Sequence, residues 1–262
     1  MPALGRARRA MFSRLAFGAL VLLTLSACGK KGPVRPLSEL SPAAPPAFSA
    51  VQAGENVLLS WELPRANQDG SPLEDLVGFR IFRLDFAPGD ACPECREESA
   101  ALVAELDLDY LPAASRQGER LFWFDTRAAQ DSGYLYRLLP VNRKGRPGAP
   151  ARAQLLVVAP PPAPAPPSAS GHDRLVRLRW EPAVAPHGTR LLGYQLYRRT
   201  GEAPFPPAPL TAEPLPATDY EDFAVENGRE YRYALRLLLE QDGRPVQSSR
   251  STEVRVTPLA GR

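Results

Sequence analysis

Two cysteines three positions apart, Cys92 and Cys95, carry the most distinctive chemistry of this 262-residue sequence. A Cys-Pro-Glu-Cys segment can form a disulfide, take part in thiol exchange or contribute to a zinc site. A redox site of the thioredoxin type needs the first cysteine at the N-terminus of a helix in a βαβ unit, and nothing nearby predicts that setting. A structural zinc site needs about four ligands, but the two histidines, His172 and His187, fall in the other half of the chain.

Other residues that could do chemistry lack the spacing that catalysis needs. The sequence contains no Gly-x-Ser-x-Gly, phosphate-loop or His-Glu-x-x-His pattern. Acidic residues cluster between Asp85 and Asp109 and could gather calcium, although a solvated acidic loop is the ordinary explanation of such a cluster. The sequence therefore predicts a protein that is not an enzyme and that has neither a metal site nor a cofactor.

The first 27 residues have the pattern of an export signal. Four arginines and no acidic residue precede position 28, and the stretch from Leu15 to Leu25 is almost wholly apolar. This stretch is too short to cross a bilayer, which takes roughly 20 apolar residues, and it fits the apolar segment of a cleaved signal peptide. A retained transmembrane anchor is the alternative, and the short apolar length disfavours it.

The end of this signal, LSAC at residues 25–28, resembles the lipobox of bacterial lipoproteins. The resemblance implies that Cys28 carries a diacylglycerol, that the chain is cut before it, and that two or three acyl chains hold the protein on a membrane. Gly29 stands where an aspartate would favour the inner membrane, which implies the outer membrane of the cell envelope. With Cys28 lipidated in an oxidising compartment, we expect Cys92 and Cys95 to form a disulfide that fixes a loop tip.

The next residues, CGKKGP at 28–33, are similar to the start of small outer-membrane lipoproteins of the LptM (YifL-like) type. That family begins with Cys-Gly-x-Lys-Gly-Pro-Leu-Tyr and assists maturation of the lipopolysaccharide translocon. This sequence departs from the pattern at Val34 and Arg35. The alternative interpretation is a flexible basic tether beside anionic lipid head groups, which continues into a proline-rich stalk.

A nearly neutral charge argues against a nucleic-acid partner. Without residues 1–27, the balance falls from 32 Lys and Arg against 29 Asp and Glu to 28 against 29. Many of the 30 prolines lie in tethers and turns, which is typical of β structure with proline between the strands. A proline-rich segment at residues 159–167 divides the rest into two parts of ordinary domain size.

The two parts repeat the same order of sequence blocks. LLSWELP around Trp61 corresponds to VRLRWEP around Trp180, and LVGFRIFRL corresponds to LLGYQLYRR. Further along, FWFDT corresponds to the stretch around Tyr220 and Asp222, and YLYRLLPVN corresponds to YRYALRLLL. Each block alternates with a period of two, which predicts short antiparallel strands in two sandwiches.

This order of blocks resembles fibronectin type III modules. An early strand with a tryptophan, a glycine-aromatic strand and a late strand opened by a tyrosine occur twice. The resemblance implies an all-β fold with two tandem immunoglobulin-like β-sandwiches. It also implies that Trp61 and Trp180 fill the two cores, and that Tyr134 and Tyr231 are tyrosine corners whose hydroxyls bond to nearby backbone.

We therefore expect a lipid-anchored protein that displays two fibronectin type III modules to another envelope protein or to a glycan. Two alternatives remain open. One is an envelope maturation or thiol-redox factor that acts through Cys92 and Cys95, and the other is a carbohydrate-binding accessory protein, whose sign would be exposed aromatic rows. The predicted segments are a signal peptide (1–27), a tether (28–45), module 1 (46–158), a linker (159–167), module 2 (168–258) and a tail (259–262).

Overall fold

A computed structural model describes residues 41–261. The predicted signal peptide, Cys28 and most of the predicted tether lie outside the described residues. Within residues 41–261, no helix has the length and apolar character needed to cross a bilayer. The strands of the first module are β1 (Ser49–Ala53), β2 (Asn56–Glu62), β3 (Leu76–Phe86), β4 (Ala101–Asp107), β5 (Ala114–Gln117), β6 (Arg120–Asp125), β7 (Ser132–Asn142) and β8 (Ala151–Val157).

Module 1 is a sandwich of two antiparallel sheets, with strand orders β1-β2-β6-β5 and β4-β3-β7-β8. This is an immunoglobulin-like β-sandwich. Alternate residues of β2, β3 and β7 point inward, as the period of two predicts, and they form one core around Trp61. The most completely buried large side chains of this core include those of Trp61, Phe79, Tyr134, Tyr136, Ile81 and Leu138.

Module 2 repeats this architecture with shorter outer strands. A sheet of order β9-β10-β12 faces a sheet in which β13 pairs with β11, β14 and β15, and the core between them includes Trp180. The all-β fold of two tandem sandwiches that the sequence predicts is therefore the observed fold. The strands of module 2 are β9 (Ser168–His172), β10 (Leu175–Arg179), β11 (Thr189–Thr200), β12 (Asp219–Asp222), β13 (Tyr231–Gln241), β14 (Arg244–Gln247) and β15 (Val254–Val256).

The last strand of module 2 is divided into β14 and β15 by a serine-rich segment. The hydroxyls of Ser248 and Ser251 accept hydrogen bonds of 2.9 Å from the backbone N–H groups of Leu237 and Leu235. The serine N–H groups donate to the carbonyls of the same two leucines, at 3.0 and 2.8 Å. Side chains thus satisfy the backbone of β13 where regular strand pairing is interrupted.

One sheet passes through both modules. β14 of module 2 pairs in parallel with β1 of module 1, with Gln52 opposite Val246 and Ala53 opposite Gln247. The Gly54 N–H continues the pairing with a hydrogen bond of 3.0 Å to the Gln247 carbonyl. The resulting order is β11-β13-β14-β1-β2-β6-β5. The repeated sequence blocks predict two modules, but nothing in them indicates this shared sheet.

Residues 41–45, which the sequence analysis places at the end of the tether, pack against module 1. The Pro42 carbonyl accepts a hydrogen bond of 2.9 Å from the Ala149 N–H, and the Gln68 side chain donates to the Ser41 hydroxyl at 2.6 Å. Ser41 and Pro42 are both buried. Residues 41–45 of the predicted tether are therefore part of the folded module.

Candidate functional site

Cys92 and Cys95 form a disulfide in the insertion between β3 and β4. Their Cα atoms are 5.4 Å apart, and the bond closes a ring across the start of a 3₁₀ helix, Pro93–Ser99. A thioredoxin-type site instead places its first cysteine at an α-helix N-terminus within a βαβ unit. Here the pair lies between antiparallel strands, so it acts as a local brace of the loop.

The disulfide loop is held on module 1 by two arginines. Arg152 donates hydrogen bonds of 2.5 and 2.7 Å to the Glu97 carboxylate, and Arg137 donates to the Glu97 carbonyl at 2.9 Å. The hydrogen bonds from Arg152 hold the pKa of Glu97 below its usual value. Despite the acidic residues of this region, no group of three or more His, Cys, Asp or Glu in residues 41–261 is placed to hold a metal ion.

The two tryptophans singled out by the sequence lie in the two cores. The ring of Trp61 packs edge-on against Phe79 with the centroids 5.4 Å apart. Trp180 packs in the same manner on Tyr194, at 5.5 Å. Both indoles are buried, so they contribute packing area between the sheets and offer no surface for a stacked ligand.

The two tyrosines predicted to form corners lie at the start of β7 and β13. The Tyr134 hydroxyl accepts a hydrogen bond of 2.7 Å from the Ala129 N–H, and the Tyr231 hydroxyl accepts one of 2.9 Å from the Glu226 N–H. In each case the donor lies five residues earlier in the chain. The hydroxyls therefore fix the loop that leads into each strand.

Exposed aromatic side chains are scattered in the described part of the chain. Tyr110 in module 1 is 73% exposed and Phe223 in module 2 is 67% exposed. They lie in different modules and form no row of the kind that a carbohydrate platform would need. Isolated exposed apolar side chains are ordinary on protein surfaces.

Module 1 contains a buried Arg-Asp-Tyr triad that the sequence analysis did not predict. Asp125 of β6 is fully buried, and one of its oxygens accepts hydrogen bonds from Arg83 (2.8 Å) and Tyr136 (3.0 Å), while the other accepts the Arg127 N–H (3.0 Å). Burial opposes ionisation of Asp125, but these hydrogen bonds outweigh it and hold its pKa below the usual value. The triad ties β3, β6 and β7 together across the sandwich.

Module 2 contains the same triad at the equivalent place. Asp222 of β12 accepts hydrogen bonds from Arg198 (2.7 Å) and from the Tyr233 hydroxyl (2.8 Å). Burial and the nearby Asp222 carboxylate raise the pKa of Tyr233, so its hydroxyl stays a donor. Two sequence features could have identified both triads. One is the aspartate at corresponding positions of the two modules, Asp125 in the FWFDT block and Asp222, and the other is the aromatic-arginine pair at the end of β3 and of β11.

Gln52 of β1, which is 1% exposed, lies beside the joint between the modules. Its side-chain nitrogen donates to the carbonyls of Val158 (2.7 Å) and Gly54 (3.0 Å), and its side-chain oxygen accepts the Val158 N–H (3.0 Å). These bonds hold the start of the linker against β1, beside the pairing of β1 with β14. The residue thus secures the shared sheet at the point where the chain leaves module 1.

Arg236 of β13 forms the module 2 side of the joint. Its Nη1 donates a 2.5 Å hydrogen bond to the Ser248 carbonyl, and a Cβ built on Gly54 would lie 3.3 Å from the same nitrogen. Burial lowers the pKa of Arg236 to about 10, so the guanidinium remains charged at neutral pH. Nearby, the Ser249 N–H donates to the carbonyl of Pro161 in the linker at 3.3 Å. The joint is therefore tightly packed and hydrogen-bonded.

A loop of module 2 also covers part of module 1. This loop, residues 201–218 between β11 and β12, is called the strap. Its Ala208 packs against a small apolar cluster that includes Leu58, Phe122 and Phe124 on the outer face of β2 and β6. The outer face of a sandwich sheet commonly faces water, but Leu58 and Phe122 are buried here.

The strap is anchored to its own module by stacking and backbone hydrogen bonds. Phe205 lies under the guanidinium groups of Arg199 and Arg250, at 5.3 and 4.7 Å from its ring centroid. Leu215 and Tyr194 exchange two backbone hydrogen bonds of 2.8 Å along the edge of β11. The strap is therefore an ordered element that presents its proline-rich part, FPPAP, to module 1.

An open groove of about 360 Å³ remains between the strap and the outer face of module 1. Its volume lies in the range of ordinary ligand sites. We call it the strap groove, and its walls include Val51, Ser60, Gln117, Pro207, Pro209 and Thr211. Residues of both modules meet in this groove, and most of its exposed lining is apolar.

No family model matches the sequence, and no curated protein matches it. Among solved structures, the FN1–FN3 domains of chicken CNTN1 match with 11% identity and a TM-score of 0.30, over 84% of this chain and 68% of that one. A two-domain fibronectin type III segment of chicken tenascin matches with 13% identity and a TM-score of 0.28, over 81% of this chain and 98% of that one. The fold assignment rests on the strand order described above.

Proposed function

We propose that the protein is an outer-membrane lipoprotein that presents two fibronectin type III modules as one rigid, non-catalytic binding unit. Support for the anchor comes from the export signal and the LSAC segment that ends at Cys28. Support for the binding role comes from the sandwich architecture, which many cell-surface domains use, and from the strap groove. The partner is another envelope protein or a glycan.

The pairing of β14 with β1 is the observation that carries the binding part of this proposal. Modules on a flexible linker sample many relative orientations, and a partner that touches both must order them on binding. The shared sheet and the packing of the strap on module 1 hold the modules in one arrangement before a partner arrives. Such preorganisation favours recognition by a surface that spans both modules.

The sequence also limits how far the binding unit can lie from its anchor. Twelve residues separate Cys28 from Ser41, the first described residue. Fully extended, they span at most about 40 Å. Acyl chains on Cys28 would therefore keep the unit within a short distance of the bilayer, where it meets other envelope components.

Labelling with radioactive palmitate in cells that express the full chain tests the anchor. We expect label in the wild-type protein and in the Cys92→Ala/Cys95→Ala double variant, which keeps Cys28, and no label in Cys28→Ala. Mass spectrometry of the mature protein should find residues 1–27 removed. Finding those residues still present and Cys28 unmodified would refute the anchor.

Photo-crosslinking in the intact envelope tests the binding role. A crosslinking residue at exposed Gln117, beside the strap groove, should capture the same identified protein or glycan in repeated experiments. The matched control places the residue at Val184, which is 91% exposed in module 2 and does not line the groove. Absence of a reproducible product at any exposed position of either module would argue against a binding function.

A further inference from the structure

The outer face of module 1 already holds a proline-rich segment of the protein's own chain. Pro207, Ala208 and Pro209 of the strap lie beside Leu58 and Phe122. The strap therefore shows one chemistry that this face accepts: Ala208 packs on the apolar cluster, with the rings of Pro207 and Pro209 on either side of it in the chain. The strap groove is continuous with this contact, since the same three strap residues form one of its walls.

The polar side chains of the strap groove can all donate hydrogen bonds, because they are those of Arg, Gln, Ser and Thr. Among the described residues that line it there is no Asp or Glu, and Gln117, Arg120 and Gln247 form no side-chain hydrogen bond within residues 41–261. The other polar groups are hydroxyls, such as those of Ser49 and Ser60, which bond to each other at 2.9 Å. Proline lacks an N–H, so a proline-rich chain presents mainly carbonyl acceptors to such donors.

We propose that the strap groove binds an extended, proline-rich segment of a partner protein, which lies beside the strap on the outer face of β2 and β6. The inference names the chemistry of the partner in the binding role proposed above and rests on that role. The groove supplies apolar walls and free donors, and a proline-rich chain supplies rings and unpaired carbonyls. Such a chain is already extended in water, so it loses little conformational entropy when it binds.

A peptide from the protein's own linker is a suitable probe. The segment APPPAPAPPSAS, residues 159–170, has the required composition and no charged residue. We expect the fluorescently labelled peptide to bind the full-length protein saturably in anisotropy titrations. A peptide in which glycine replaces every proline should bind at least tenfold more weakly, because it lacks the rings and the extended preference.

Two variants place the binding in the strap groove. Val51→Arg puts a bulky charge on a half-buried wall of the groove and should weaken peptide binding at least tenfold. Gln117→Ala changes an exposed position and should weaken peptide binding a few-fold without affecting the fold. Val184→Arg, at an exposed position outside the groove, is the matched control and should bind as the wild type does. Circular dichroism checks that each variant remains folded.

The proposal is overturned by absence of saturable binding at millimolar peptide, by equal binding of the glycine peptide, or by unchanged affinity in both groove variants. Concentration-dependent dimers that Val51→Arg abolishes would assign the groove to a second copy of the chain and would also overturn it. Failure of the broader binding role looks different. In that case the peptide binds the purified protein, yet crosslinking in the envelope captures no partner.

Discussion

Gln52 and Val158 lie 106 positions apart in the chain and are joined by two hydrogen bonds that imitate a pair of neighbouring strands. The carboxamide donates to the Val158 carbonyl at 2.7 Å and accepts the Val158 N–H at 3.0 Å. One side chain thus satisfies both backbone groups of the residue at which β8 gives way to the linker. The linker consequently leaves module 1 at a fixed position, next to the strand pairing that joins the modules.

The turn glycines Gly54 and Gly118 offer a matched test of the joint. Each opens a Gly-Glu turn between antiparallel strands and has a positive φ, of 68° and 60°. Alanine at either position should cost about 1 kcal/mol of stability from backbone strain. Gly54→Ala should cost more, because its Cβ would press on Arg236, while nothing lies within 4 Å of a Cβ at Gly118. Urea denaturation measures the difference, and equal losses would contradict the packed joint.

Because the carboxylate of Asp125 is buried and ion-paired, we expect its replacement by the similarly shaped asparagine to destabilise the protein. Asp125→Asn should lower the stability of the protein by about 2 kcal/mol at pH 7, because Arg83 keeps the exposed Asp85 but loses its buried carboxylate partner. Asp109→Asn, at an exposed position, should change it by less than about 0.5 kcal/mol. Chemical denaturation of both variants measures the two losses.

The same carboxylate sets a pH dependence. Its pKa is lowered in the folded protein, so its stabilisation is complete above the ordinary aspartate pKa of about 3.9 and is lost as the pH falls through the folded value. The stability gap between wild type and Asp125→Asn should therefore shrink at pH 3. A gap that stays constant from pH 7 to pH 3 would contradict the ion pair.

Removal of a corner hydroxyl should have a moderate effect. Tyr231→Phe leaves the ring in the core but removes the acceptor of the Glu226 N–H, and we expect a loss of about 1 kcal/mol. Tyr110→Phe removes a hydroxyl from an exposed ring and should be neutral. Thermal unfolding of both variants provides the comparison, and a neutral Tyr231→Phe would show that the corner bond does not stabilise the loop.

Loss of the disulfide should matter little for the fold as a whole. A ring of this size contributes about 2 kcal/mol in the chain-entropy account. Cys92→Ala/Cys95→Ala should therefore lower the melting temperature by only a few degrees and leave binding of the linker peptide unchanged. Thiol counting on unreduced protein should find no free thiol at these positions. A freely exchanging pair whose removal abolishes a redox activity would instead favour the thiol-redox alternative.

The features that sequence could predict are those encoded by local patterns. Period-two alternation predicts the inward faces of the strands, and the structure buries Trp61 and Trp180 on those faces. The composition of residues 159–167 predicts a break between modules, and the segment has no regular secondary structure. These features depend on neighbours along the chain, so a single sequence contains them.

The joint, the triads and the strap groove depend on contacts between distant residues. Parallel pairing of β14 with β1 requires two edge strands from different modules to meet. The sequence of neither strand predicts which strand it pairs with. Asp125 and Asp222 look like ordinary turn aspartates until the strands that carry Arg83 and Arg198 are placed beside them. The proline-rich strap looks like a surface loop until module 1 lies beneath it.

Differential scanning calorimetry of the full chain tests the central claim, that the two sandwiches form one unit through a shared sheet. We predict a single transition whose calorimetric and van't Hoff enthalpies agree, because the paired strands and the packing of the strap on module 1 couple the two modules. Two separate transitions, each with the enthalpy of a single module, would contradict the claim.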